Sequence, residues 1–124
     1  MSEMSEIRAK WVAALKSGEY SQTRGMLRRR DGFCCLGVLC DLAVKEGIIP
    51  EPTLSVGNKI YSYDEEAGVL PVKVREWVGL SDVHGNYATS SLITDNDGGR
   101  SFNVIAEIIE SEPKGLFKEN NEAK

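Results

Sequence analysis

A chain of 124 residues suits a single domain with one real core. Its 41% hydrophobic and 27% charged content is that of a globular protein, not a disordered one. A formal charge of −4 excludes the dense acidic surface of a DNA mimic and gives no global pull toward nucleic acid. The charge is unevenly placed: residues 1–31 carry seven Lys or Arg against four acids, so an anion site is expected on the first third of the chain. No apolar stretch approaches the ~18 residues of a membrane span, and the acidic start is unlike a signal region. Cys34, Cys35 and Cys40 are odd in number and lie in one apolar run, which points to a reducing compartment and a cytoplasmic protein.

Ile7, Trp11, Ala14 and Leu15 recur at helical period and predict a helix from about Ser5 to Ser17, stopped by Gly18. Residues 19–32 are polar and basic. Within them Met26–Arg30 reads as a short strand and Asp31-Gly32 as a turn. From Phe33 to Val44, Cys35, Val38, Leu39, Leu42 and Ala43 form one helical face, while Leu36 and Cys40 extend the apolar surface round a second. A helix apolar around most of its girth belongs in the middle of a core. Gly37 inside it costs about 1 kcal/mol relative to alanine and predicts that another backbone crosses there. Gly47 ends this helix.

Pro50 and Pro52 exclude a continuing helix. Lys59–Tyr63 alternates, Asp64–Gly68 is a turn, and Val69-Leu70 completes a small predicted hairpin. Pro71 suits the first turn of a short helix carrying Val74, Trp77 and Val78 before Gly79. Residues 81–100 read as a polar connection. Ser101 then caps a last helix whose buried stripe is Phe102, Ile105, Ala106 and Ile109, with Pro113 just past its end. The charged stretch Lys118–Lys124 reads as a frayed tail. The expected fold is α+β: one domain over residues 1–117, about four helices around a central apolar helix, with a small β-hairpin or short antiparallel sheet.

Chemistry is sparse in this chain. Cys34, His84 and Asn96 occur in the order used by one class of cysteine hydrolases, and Cys34 stands near a helix N-terminus that favours a thiolate. No local signature accompanies the order, so the preferred reading makes all three cysteines small core residues. CC-x4-C with one remote histidine lacks the paired spacing of a zinc site. Asp95-Asn96-Asp97-Gly98 resembles part of a calcium loop, but Ile93 and Val104 stand where ligands belong, and an Asx-rich turn feeding a capped helix is the plainer reading. No metal or cofactor is expected.

Arg24, Arg28, Arg29 and Arg30 are the sharpest charge feature; with Arg100, and Tyr20 as a stacking surface, they compose a candidate site for a phosphate-bearing ligand. The competing reading is a solvated basic loop that pairs with the acidic remainder.

The stretch Asp31-Gly32-Phe33-Cys34-Cys35-Leu36-Gly37-Val38-Leu39-Cys40-Asp41-Leu42 resembles small uncharacterised proteins of tailed bacteriophages and prophages. Trp11–Tyr20, Trp77–Leu80 and Asn96–Phe102 agree, so the resemblance spans roughly residues 7–112. It implies a phage accessory protein acting in bacterial cytoplasm and carries over no functional residue. The first expectation is therefore a non-catalytic factor that binds a host component, such as part of a defence system. A binder of nucleotide, cyclic nucleotide signal or nucleic acid through the arginines is the second, and a cysteine hydrolase the third. The acidic balance weighs against nucleic acid, and no membrane partner is expected.

Overall fold

A computed structural model describes residues 3–55, 57 and 59–118. The helices are α1 (Glu3–Lys16), α2 (Cys35–Lys45), α3 (Val72–Val78), α4 (Leu92–Asp97) and α5 (Phe102–Ser111). Six two-residue strands pair antiparallel: β1 (Arg28–Arg29) with β2 (Gly32–Phe33), β3 (Thr53–Leu54) with β4 (Tyr61–Ser62), and β5 (Asn86–Tyr87) with β6 (Ser90–Ser91). The fold is thus a small α+β domain in which helices supply the core and hairpins shape its rim.

α2 is the interior strut that its composition predicts. Every residue from Cys35 to Cys40 is buried, as is Ala43. Removing that much apolar surface from water is the main stabilising term here. Trp11 of α1 donates its indole N–H to the Cys35 carbonyl at 3.0 Å, so the largest buried side chain leaves no polar atom unpaired. The predicted crossing at Gly37 is present, and the crossing chain is Leu27. A Cβ at Gly37 would lie 1.8 Å from the Leu27 carbonyl oxygen. Only glycine fits there.

α1 lies along α5, its most extensive partner, and also packs on α2, whose other helical neighbours are α3 and α4. Ile7, Trp11 and Leu15 are buried as their period requires, and Val12 joins them. Arg8, also buried, donates Nε to the Val78 carbonyl at 3.0 Å and lays its guanidinium 3.8 Å from the Phe117 ring centre. It ties α1 to the end of α3, where unpaired carbonyls favour a cation. Leu116 and Phe117 are fully buried because residues 114–118 dock onto 79–88 through Ser81 N to Leu116 O, Ala88 N to Lys114 O and Lys118 N to Gly79 O. Of the expected frayed tail, Lys118 is held by that bond; residues 119–124 lie outside the described residues.

Two sequence expectations need correction. β4 pairs backward with β3, not forward with Val69-Leu70. Tyr63 and Glu66 close on each other through bonds of 2.8 and 2.9 Å, with Asp64 and Glu65 both at positive φ. The chain beyond that tight turn is claimed elsewhere: the Ala67 carbonyl accepts from Leu27 N, and Leu70 N donates to the Val83 carbonyl. The second correction concerns residues 81–100, which form the β5–β6 hairpin and α4 in place of a plain polar connection. Ser91 caps α4 by accepting from Thr94 N at 3.0 Å, and Leu92 is fully buried beneath it. Pro71 stands at the N-cap of α3, one residue before the expected first turn.

Candidate functional site

The cysteines are packed as the core reading has them. All three are free and buried, and burial pushes each thiol up, Cys34 to about 11. Cys34 is the N-cap of α2, its Sγ accepting from Gly37 N at 3.4 Å. The first amide of that helix, Cys35 N, donates to Asn96 Oδ1 at 3.1 Å. Side chains therefore already meet the helix N-terminus that would favour a thiolate. Asn96 lies beside the cysteine pair, and no hydrogen bond joins the His84 imidazole to Cys34 or Asn96 among the described residues.

A pH dependence follows. Cys34 ionises near 9 when unfolded and near 11 when folded, so its contribution to stability is fully present below pH 9 and is lost as pH rises from 9 to 11. A two-unit shift corresponds to about 3 kcal/mol, to order of magnitude. The urea midpoint is expected to stay level from about pH 6 to 8.5 and to fall above 9. Cys34→Ser, which keeps a capping oxygen, should flatten part of that fall. Thiol reagents are expected to label the protein at pH 8 only in denaturant; rapid labelling of Cys34 in the native state would refute the interior placement.

Asn96 is the hub of a clip between the arginine loop and the end of α4. It is fully buried, accepts from Gln22 Nε2 at 2.9 Å as well as from Cys35 N, and donates to the Thr23 carbonyl at 2.7 Å. Asp97 accepts from Gly25 N at 2.9 Å, and Gln22 also donates to the Arg100 carbonyl at 2.7 Å. Asn96 and Asp97, in the last turn of α4, thus staple residues 22–25. The carboxamide of Asn96 and the Asp97 oxygen that accepts from Gly25 are committed to protein partners.

This clip sorts the predicted arginines. Arg28 turns inward: its guanidinium sits 4.6 Å from the Phe33 ring centre and 4.1 Å from that of Tyr61, and it donates to the Tyr63 hydroxyl at 3.3 Å. Tyr20 is likewise engaged. Its ring meets Phe33 edge-on at 5.0 Å, and its hydroxyl, whose pKa is raised by burial and by Asp41, donates to Asp41 and accepts from Lys45. Both residues are mortar for the loop.

Arg29 folds back, donating Nε to the Arg24 carbonyl at 3.0 Å. Arg24 spreads over Gly99, where a Cβ would come within 3.3 Å of its Nη2. Arg100 follows in the chain, its Nε 3.7 Å from Asp95 Oδ1. Arg30 is exposed at the β1–β2 turn. The structure therefore brings Arg24, Arg29 and Arg100 into one neighbourhood and sets Arg28 and Tyr20 apart from it. Arg24, Arg29 and Arg30 have no carboxylate within ion-pair distance among the described residues.

An open cleft of about 650 Å³ adjoins this face at Arg100, between the β5–β6 hairpin and α5. Its inner wall carries Asp95, buried although charged. Asp95 accepts from the Tyr87 hydroxyl and from Ser90 Oγ, the latter at 2.9 Å. The sequence alone does not single out Asp95, Tyr87 and Ser90 as a site, because the hairpin that converges them spans only residues 86–91.

No helix among the described residues is long and apolar enough to cross a membrane, and no three His, Cys, Asp or Glu side chains group there as metal ligands. The model of a family described as a domain of unknown function (DUF8296) matches residues 3–113. Neither a curated protein nor a solved structure matches the chain.

Proposed function

We propose that this chain, which belongs to the DUF8296 family, works by binding rather than by catalysis, as an accessory protein of the bacteriophage kind its sequence resembles, acting on a component of the bacterial host cell. One observation carries this reading. Among the described residues, Arg24, Arg29 and Arg30 keep their guanidinium groups free of carboxylates in a protein of net charge −4, on a loop fastened by a fully buried asparagine. Guanidinium groups that lack a carboxylate partner and stand on a fixed backbone are preorganised for an anion, because little conformational freedom is lost on binding. That favours a host component bearing phosphate. The buried Cys34 thiol, with no imidazole bonded to it, supports binding over hydrolysis.

The test uses the whole chain and pyrophosphate as the probe. At low salt, pyrophosphate is expected to raise the melting temperature of the wild type by a few degrees, and the rise should fade in about 0.5 M salt. The double variant Arg24→Ala/Arg30→Ala, altered only at exposed positions, should fold normally and lose the response. Cys34→Ser should keep it. A wild type indifferent to pyrophosphate and to nucleotides at every salt concentration would overturn the phosphate reading. An activity abolished by Cys34→Ser with the fold intact would transfer the case to a hydrolase.

A further inference from the structure

The phosphate face and the cleft beside it share one residue, Arg100. Its carbonyl is tied to the arginine loop through Gln22, its Nε approaches Asp95 inside the cleft, and its side chain is 60% exposed. Residue 99, just before it, lies under the Arg24 guanidinium. Arg100, which lines the cleft, thus connects the arginine face to it.

The chemistry of the cleft is not that of an anion site. Asp95 presents a buried carboxylate whose two oxygens hold hydrogen bonds from Tyr87 and Ser90, and each oxygen retains a further lone pair. Glu107 of α5 adds a second, exposed carboxylate on the facing wall, and Ile108 supplies an apolar patch. Two carboxylates that accept, hydroxyls that both accept and donate, and a small apolar surface match adjacent hydroxyl groups on a carbon ring. A second phosphate or a carboxylate would be repelled.

We infer that the cleft takes the sugar part of a phosphorylated sugar, its phosphate held by Arg24 and Arg100 and its hydroxyl groups by Asp95 and Glu107. This rests on the reading of the arginine face as a phosphate contact and names the class of ligand. A free sugar phosphate and a nucleotide share this chemistry, and the test separates them.

Binding of inorganic phosphate, ribose, ribose 5-phosphate and AMP to the full chain is measured by calorimetry, with amide shifts followed by NMR. Ribose 5-phosphate is expected to bind about tenfold more tightly than inorganic phosphate, the gain expected from hydrogen bonds to charged groups. It should shift the amides of Tyr87, Ser90 and Arg100. Glu107→Gln, on the exposed face of α5, should remove most of that advantage and leave phosphate binding unchanged, whereas Arg24→Ala should weaken both ligands. AMP binding more tightly than ribose 5-phosphate identifies a nucleotide; weaker binding identifies a free sugar phosphate. Either order upholds the inference.

Phosphate and ribose 5-phosphate binding equally, with Glu107→Gln silent, would sink the cleft assignment and spare the arginine face. Ribose binding as well as ribose 5-phosphate would sink the joined site. No response to inorganic phosphate would remove both readings.

Discussion

Gly37→Ala is expected to lower the melting temperature by about 10 °C or more, the size of effect that follows from overpacking by about 3 kcal/mol in a domain of this length. The added carbon would lie 1.8 Å from the Leu27 carbonyl oxygen and 2.7 Å from the carbonyl carbon, well inside contact distance. Leu27 cannot step back cheaply. Its side chain is fully buried, its N–H donates to the Ala67 carbonyl at 2.7 Å, and its own carbonyl accepts from Cys34 N at 2.9 Å. Moving it would drag the arginine loop away from α2 and open the N-cap. The helical preference of alanine over glycine, about 1 kcal/mol, is too small to compensate. Gly68→Ala is the control: a Cβ there meets open space, and its melting temperature should match the wild type. Thermal unfolding followed by circular dichroism decides the matter, and a Gly37→Ala protein as stable as the control would mean that the crossing is looser than described.

That crossing is readable from sequence because a glycine weakens the most apolar helix of a chain for no local gain, and a backbone passing against it supplies the reason. The same legibility holds for α1, α2 and α5, whose apolar positions repeat over enough turns to set a period. α4 escapes because its six residues, Leu-Ile-Thr-Asp-Asn-Asp, hold two apolar side chains and four poor helix formers. Its formation depends on the Ser91 cap and on burial of Leu92, which are tertiary facts. The strands, two residues each, are too short to alternate. The arginines are legible as a cluster but not as separate roles. Arg28 and Arg29 are neighbours on one strand and so face opposite sides, one into the Phe33–Tyr61 slot and the other back along the loop. Tyr20 reads as a free stacking surface because nothing local shows that Phe33 and Asp41 will meet it.

Asn96→Ala is expected to cost about 3 kcal/mol, since it strands two buried backbone groups at once. The Cys35 amide would lose its acceptor at the head of the central helix, and the Thr23 carbonyl would lose its donor. Gln22 keeps only its bond to the Arg100 carbonyl, so the loop should loosen even in molecules that remain folded. At low temperature, where the variant is still native, its pyrophosphate response should therefore be weaker than that of the wild type, although no arginine has been touched. Asn96→Asp separates the two kinds of bond. A carboxylate still accepts from Gln22 and Cys35, but it meets the Thr23 carbonyl as one acceptor against another and sits beside Asp97. Those neighbours oppose its ionisation in the folded state, so its folded pKa lies above the unfolded one. The stability it contributes is then present below the unfolded carboxyl pKa and lost as pH rises through the folded value. The gap between Asn96→Asp and the wild type in urea should accordingly narrow as pH is lowered from about 7 toward 4. A gap that ignores pH, or an Asn96→Ala protein within about 0.5 kcal/mol of the wild type, would mean that Asn96 does not hold the arginine loop in place.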